Sequence, residues 1–160
     1  MTPPMSLSSA PADSPPGNSS TSSEPTHLNV PLSLSPHTTL QILIHTHLAT
    51  PLIFLTTTTP ASSSTSALGS FVYALPNRLR PSEPLCTTLY AHPGSVDFAT
   101  RVAKIVAKRL GRPTYVGWSG ELGAAGGNIG GQFGEEMEGF RKAVEGIMGA
   151  LGKAGEERNG

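Results

Sequence analysis

The chain alternates apolar and polar residues with a period of two in a series of short segments, which is the pattern of half-buried β-strands. In the second of these segments Leu40, Ile42 and Ile44 share one face, whereas His45 and His47 lie on the opposite face. Turns rich in proline, glycine and serine separate most of the segments. We predict strands at 27–34, 38–48, 52–58, 68–75, 85–90 and 114–119.

Before the last predicted strand, apolar residues repeat every three or four positions, as they do along one face of an α-helix. This stripe consists of Phe98, Val102, Ile105, Val106 and Leu110. We expect the side chain of Ser95 to cap the first turn, where the charge of Asp97 also suits the helix dipole. Gly111 is placed to adopt the left-handed conformation after the last turn, and Pro113 prevents continuation. The pattern predicts a helix over about 95–111.

A second helix is predicted over about 134–151, where apolar residues again keep the helical period. Its apolar positions are Met137, Phe140, Val144, Ile147, Met148 and Leu151. The preceding stretch, 120–134, is so rich in glycine that we expect a flexible loop, and we expect 153–160 to fray. Residues 1–26 are mostly serine, threonine and proline, a composition that favours a disordered tail.

The order of these elements indicates the fold class. A run of strands with hairpin-length links, followed by a helix, a last strand and a terminal helix, is typical of an α+β fold. We therefore predict a single domain over 27–152, in which a six-stranded, mostly antiparallel sheet packs with two helices.

Composition and charge exclude several classes of function. The 160-residue chain carries 11 Lys and Arg against 11 Asp and Glu, so its formal net charge is zero. General nucleic-acid binders usually have a basic excess, and we expect no such partner. The single cysteine, Cys86, leaves no intramolecular disulfide. Without a signal-peptide pattern or an apolar run long enough to cross a bilayer, the sequence predicts a soluble intracellular protein with no membrane partner.

Ser119 is the residue that most resembles a catalytic nucleophile. It lies in the sequence G-W-S-G-E, where Glu121 stands at the position that the motif G-x-S-x-G reserves for glycine. We therefore predict no catalytic residues and no enzymatic activity. Two alternatives stay open, namely a small hydrolase that uses Ser119 with a histidine such as His92, and a self-associating scaffold domain.

The histidines and the cysteine do not form a recognisable metal site. His45 and His47 are two residues apart on one strand face, and a third ligand would have to come from a distant residue such as His92. Cys86 lies in an apolar strand, which favours a packed thiol over a nucleophile. We predict no metal and no cofactor.

Basic residues recur on the predicted helix at spacings of three, four and four, with no acid between them. This basic ridge consists of Arg101, Lys104, Lys108 and Arg112, with Arg109 beside it. It is either a solvated face opposite the apolar stripe or a surface that docks an acidic protein. The zero net charge favours a protein partner over a nucleic acid.

The succession of these segments carries a family resemblance between about Leu28 and Leu151. The segments are L-Q-I-L-I-H-T-H-L, P-L-I-F-L-T-T, F-V-Y-A-L-P, L-C-T-T-L-Y and A-x-R-V-A-K-I-V-A-K-R-L-G-R-P-T-Y-V-G-W-S. They resemble the proteasome assembly chaperone 4 family in its fungal form. The positions that match its helix-to-strand motif are Ala99, Arg101, Val102, Ala103, Arg112, Tyr115, Val116 and Ser119. The long tail, the insertion at 62–66 and the glycine-rich stretch depart from the family pattern.

The resemblance implies a six-stranded antiparallel sheet with helices and no enzymatic activity. It also implies a heterodimer with proteasome assembly chaperone 3 that helps to form the α-subunit ring of the 20S proteasome, with subunit α5 as the expected contact. Such a protein would act in the cytoplasm and the nucleus. We expect the face that bears His45 and His47 to join the dimer interface, and the basic ridge to face an α subunit.

Overall fold

The computed structural model describes residues 24–46, 49–60, 67–122 and 129–157 of the chain. These ranges hold six strands and two helices. In chain order they are β1 (Thr26–Pro31), β2 (Thr39–His45), β3 (Leu52–Thr58), β4 (Ser70–Leu75), β5 (Leu85–Tyr90), α1 (Val96–Leu110), β6 (Thr114–Trp118) and α2 (Ile129–Glu157). The predicted bounds of the third and fifth strands are confirmed, and the other strands are shorter than predicted by one to four residues.

All six strands form one sheet in the order β1-β2-β3-β6-β4-β5. Neighbouring strands are antiparallel except β3 and β6, which run parallel. The parallel pair arises because α1 returns the chain across the sheet and inserts β6 between β3 and β4. The predicted α+β fold with a mostly antiparallel sheet and two helices is confirmed, and β1 and β5 are the edge strands.

Both helices pack on the same face of the sheet, and the hydrophobic core lies between them and the inward side chains of the strands. From the sheet, the core takes Leu40, Ile42, Ile44, Ile53, Leu55, Val72, Ala74, Val116 and Trp118. From α1 it takes Phe98, Ala99, Val102, Ala103, Val106 and Ala107. The buried face of α1 therefore includes three alanines that the predicted stripe lacks, whereas Ile105 and Leu110 of that stripe are only partly buried. Small side chains let the helix axis approach the sheet closely, and the larger residues then fall at the flanks.

The two ends of α1 differ in how well the sequence predicted them. Gly111 adopts the predicted left-handed conformation, with φ 64°, and its N–H donates to the carbonyl of Ala107. The predicted capping role of the Ser95 side chain is wrong, because Ser95 makes no side-chain hydrogen bond to the first turn. Its Oγ instead donates to the carbonyl of His92 at 3.0 Å and lies 2.5 Å from Oγ of Ser70. This pair ties the turn before α1 to strand β4.

Helix α2 is longer than its predicted extent of 134–151. It begins at Ile129, inside the glycine-rich stretch that the sequence predicts to be a loop, and it continues to Glu157, inside the segment predicted to fray. Glycine weakens a helix but does not forbid it, and Ala143, Ile147 and Leu151 anchor this one in the core. The predicted tail up to residue 23, the insertion at 62–66 and residues 123–128 of the predicted glycine-rich loop lie outside the described residues.

Helix α2 also holds the connection between β1 and β2. The carboxylate of Glu138 accepts hydrogen bonds from the backbone N–H of Ser33 at 2.7 Å and of Leu34 at 2.9 Å. Lys142 forms an ion pair with the same carboxylate at 2.9 Å and donates to the carbonyl of Pro31. Only 8% of the Glu138 side chain is exposed, so these bonds form largely out of water.

These contacts change the acidity of Glu138. Burial by itself would raise the pKa of this carboxyl, but the hydrogen bonds from Leu34, Ser33 and Lys142 outweigh burial and lower the pKa from 4.5 to about 2. The folded protein therefore holds Glu138 ionised more strongly than the unfolded chain does, and this difference stabilises the fold.

We expect Glu138→Gln to lower the free energy of unfolding by about 2 kcal/mol, because the amide removes a charge that two backbone donors share. Chemical denaturation at neutral pH measures the effect. Glu145→Gln is the matched control on the same helix. Its side chain is 74% exposed and lies 3.9 Å from Arg141, so we expect a change within about 0.5 kcal/mol. Equal effects of the two substitutions would contradict the role of Glu138.

The same site predicts how stability depends on pH. A group whose pKa is lowered on folding contributes stability above its unfolded pKa, and that contribution disappears as the pH falls towards its folded pKa. The stability difference between the native chain and Glu138→Gln should therefore shrink as the pH falls from 4.5 towards about 2. Denaturation curves of both proteins across this range measure it, and a constant difference would show that the charge plays no part.

Candidate partner interfaces

The centre of the sheet face opposite the helices is apolar, and none of the described elements covers it. The strand alternation that buries the core residues turns another set outward, in which each side chain is half-buried. We call this set the open face: Leu43, Leu52, Phe54, Phe71, Tyr73, Leu75 and Tyr115. Outward faces of antiparallel sheets usually carry polar residues, and an apolar outward face indicates a site where a partner binds.

Aromatic rings occupy the centre of the open face. Phe54 stacks on Phe71 with centroids 6.0 Å apart, and Phe71 stacks on Tyr115 at 5.7 Å. Tyr73 follows at 4.7 Å from Tyr115. These residues come from β3, β4 and β6, which the sheet order places side by side. The rings therefore present a continuous, preordered surface across three strands.

Gly117 makes room for this arrangement. A Cβ atom at Gly117 would lie 2.5 Å from Cδ1 of Phe54 and 2.8 Å from its Cε1. The ring of Phe54 therefore lies flat over the backbone of β6, and any larger residue would push it away from the sheet.

Of the two histidines predicted to lie at the dimer interface, only His45 is among the described residues. His45 is half-buried at the end of β2, and its cross-strand partner is Leu52 of the open face. His47 lies outside the described residues. Within the described ranges, no three His, Cys, Asp or Glu side chains lie close enough to hold a metal ion.

The basic ridge is shorter than the spacing predicts, because α1 ends at Leu110 and Arg112 lies beyond Gly111 in the link to β6. Arg101 forms an ion pair with Glu136 of α2 at 2.6 Å and lies 4.7 Å from the ring centroid of Phe140. Its charge therefore serves the contact between the two helices. Lys104, Lys108 and Arg109 are exposed.

Sequence reasoning missed a third surface, the edge strand β5. Leu85, Leu89 and Tyr90 are 51%, 53% and 52% exposed. Phe71 pairs with Tyr90 and Val72 with Thr88, so Leu89 forms a β-bulge without a counterpart on β4. The signal was available, because L-C-T-T-L-Y contains no lysine or proline of the kind that usually protects an edge.

Ser119 and His92, the residues of the hydrolase alternative, line one cleft of about 940 Å³ at the end of the sheet. The hydroxyl of Ser119 donates to the carbonyl of Leu55 at 3.4 Å. The backbone N–H of His92 donates to Oγ of Ser70. The first contact ties the residue after β6 to β3, and the second ties the link after β5 to β4.

We expect Gly117→Ala to lower the free energy of unfolding by about 1–3 kcal/mol, because the new methyl group collides with Phe54. Chemical denaturation measures the effect. Gly149→Ala is the control: a Cβ there meets nothing within 4 Å, and alanine favours a helix, so we expect unchanged or higher stability. A Gly117→Ala protein as stable as the native chain would show that the ring can leave its place freely.

Among the described residues, no helix has both the length and the apolar character needed to cross a bilayer.

Comparison with known proteins shows a protein of similar fold and the family of this chain. No protein with curated annotation is significantly similar to this chain in sequence. A chain from the crystal structure of a chaperone complex for yeast 20S proteasome assembly has a similar fold, with a TM-score of 0.55 and 19% sequence identity over 80% of this chain and 97% of the yeast chain. The family model for proteasome assembly chaperone 4 matches residues 38–119, which span β2 to β6 and include the open face and α1. The chain belongs to the proteasome assembly chaperone 4 family.

Proposed function

We propose that this protein is a non-enzymatic assembly chaperone that forms a heterodimer with proteasome assembly chaperone 3. The pair promotes formation of the α-subunit ring of the 20S proteasome, contacts subunit α5, and acts in the cytoplasm and the nucleus. Membership of the chaperone 4 family and the fold shared with a yeast assembly-chaperone chain support a role in proteasome assembly. The open face is the observation that supports the heterodimer most directly.

The shape of the open face fits a second sheet. Two sheets can stack about 10 Å apart when each presents an apolar face, and their side chains then interdigitate. Here the rings of Phe54, Phe71, Tyr73 and Tyr115 already stand in a fixed row. Little side-chain freedom remains to be lost on binding, so the entropic cost of ordering these side chains is small.

The half-buried state of these side chains also limits the choice of partner. A partner that covers the open face has to be apolar over several strands, as in permanent complexes, whose interfaces resemble a divided core. We assign this place to proteasome assembly chaperone 3, the partner that the family resemblance implies. His45, at the edge of the open face beside Leu52, then lies at the rim of the heterodimer interface.

The exposed basic residues serve a second contact. Lys104, Lys108 and Arg109 lie on α1, which packs on the opposite side of the sheet from the open face. A proteasome α subunit can therefore approach this side while chaperone 3 covers the other. Charged rims of this kind set the association rate and the choice of partner more than the total affinity.

Capture of co-expressed proteasome assembly chaperone 3 tests the heterodimer. We expect Phe71→Glu to abolish capture, because it places a charge at the centre of the ring row. Leu79→Glu is the matched control, since Leu79 is 93% exposed and lies in the link between β4 and β5, away from the open face. It should capture chaperone 3 as the native chain does.

Circular dichroism of both variants shows whether the fold is intact. Undiminished capture by folded Phe71→Glu would overturn the open face as the interface. A native chain that captures neither chaperone 3 nor any α subunit would overturn the proposed function.

A further inference from the structure

The two edges of the sheet are built differently. At one edge, β1 ends in Pro31, and Leu28 and Val30 turn inward against the core beside α2. At the other edge, β5 contains no proline and no charged residue, and all of its residues except Cys86 are exposed. An edge strand presents a row of unpaired backbone N–H and C=O groups to any chain that approaches it. Strand β5 is therefore the edge that can accept another strand.

A groove of about 680 Å³ begins beside β5. Leu85 and Pro84 form one side of it, and Lys104, Ile105 and Lys108 of α1 form the other, with Phe140 of α2 also in the lining. A strand added to β5 would lie about 4.8 Å further out in the plane of the sheet. Its side chains on the helix side would then meet this flank of α1.

The charge of the groove is positive. Glu83, an acid in its lining, pairs with Arg80 at 3.4 Å, and Arg101 pairs with Glu136 at 2.6 Å. Within the described part of the chain, no ion pair engages Lys104 or Lys108. These two ammonium groups are four residues apart on one helix face, and their charges are available to pair with acidic groups of a partner.

Lys104 and the start of β5 at Leu85 line the same groove. Burial raises the pKa of the Cys86 thiol, while the Lys104 ammonium and a hydrogen bond with Thr100 partly oppose that rise. Cys86 pairs with Ala74, whose side chain is in the core, so both side chains point to the helix side. Leu85 and Tyr90 pair with Leu75 and Phe71 and continue the open face.

We propose that the outer edge of β5 binds an extended acidic segment of a partner protein as a seventh strand, with acidic side chains at alternate positions facing Lys104 and Lys108. The intervening side chains are apolar and lie beside Leu85 and Tyr90 on the open-face side. The site deepens the proposed function and rests on it for one point, that the segment belongs to a proteasome α subunit. The chemistry of the segment follows from β5 and the groove alone.

The groove favours a peptide over a nucleic acid. A polyanion would find only two unpaired cations here on a chain of zero net charge, next to the exposed leucines of β5. An extended peptide uses all three features at once, because its backbone pairs with the strand edge while its two faces meet a basic and an apolar surface.

Fluorescence anisotropy of a fluorescein-labelled peptide of alternating valine and glutamate, as long as β5, tests the site on the full chain. We expect it to bind, and we expect Lys104→Glu and Lys108→Glu each to weaken binding by about tenfold. Lys153→Glu is the control, because Lys153 is an exposed lysine on α2 that lies outside the groove. It should change affinity by less than about twofold.

Three further probes decide the mode of binding. The same peptide with every backbone nitrogen methylated keeps the side chains but cannot donate to β5, and a peptide with the valines and glutamates in separate blocks keeps the charge without the alternation. Both should bind at least about tenfold more weakly. Equal binding of either peptide, equal binding of a single-stranded oligonucleotide, or no binding of the alternating peptide would overturn the site. None of these outcomes affects capture of chaperone 3 through the open face, so the two proposals fail separately.

Discussion

The structure depends on the burial of one face of a six-stranded sheet under two helices. The inward apolar side chains, from Leu40 on β2 to Trp118 on β6, form this single core, and the alanines of α1 let the helix pack closely on it. Since side chains alternate along each strand, the same register that buries this face fixes the residues on the other. The apolar open face is thus held rigidly by a core that is complete without it. A partner can bind there without the chain having to refold.

Contacts between the elements hold this arrangement at points where the core does not reach. Glu138 and Lys142 of α2 hold the turn after β1, and Arg101 joins α1 to α2 through Glu136 and Phe140. The bond between Ser70 and Ser95 fixes the turn that leads from β5 into α1. These contacts connect β5 and the flank of α1 that bears Lys104, the two sides of the groove.

Local pattern was enough to predict much of this fold, and the failures have physical causes. The strands at 52–58 and 85–90 and the left-handed Gly111 follow from residues close in sequence, and these predictions are confirmed. Long-range contacts decided the rest. Ser95 does not cap α1 because Ser70, on another strand, engages its hydroxyl. Helix α2 runs through its glycines because Ala143, Ile147 and Leu151 pack in the core. For the candidate interfaces, the sequence indicated His45 and the basic residues of α1, whereas the row of aromatic rings depends on a strand order that places β6 between β3 and β4.

The two kinds of surface on this chain suit two different lifetimes of contact. An apolar face that spans several strands gives slow dissociation and tolerates salt, as permanent partners require. A strand edge flanked by two lysines gives a contact of smaller area, whose charge component weakens as ionic strength rises. An assembly chaperone has to keep its partner and yet release the subunit that it has helped to place. Assigning the open face to chaperone 3 and the β5 edge to the α subunit therefore gives each contact the chemistry that its lifetime demands. The opposite assignment would make the permanent partner easy to lose and the subunit hard to release.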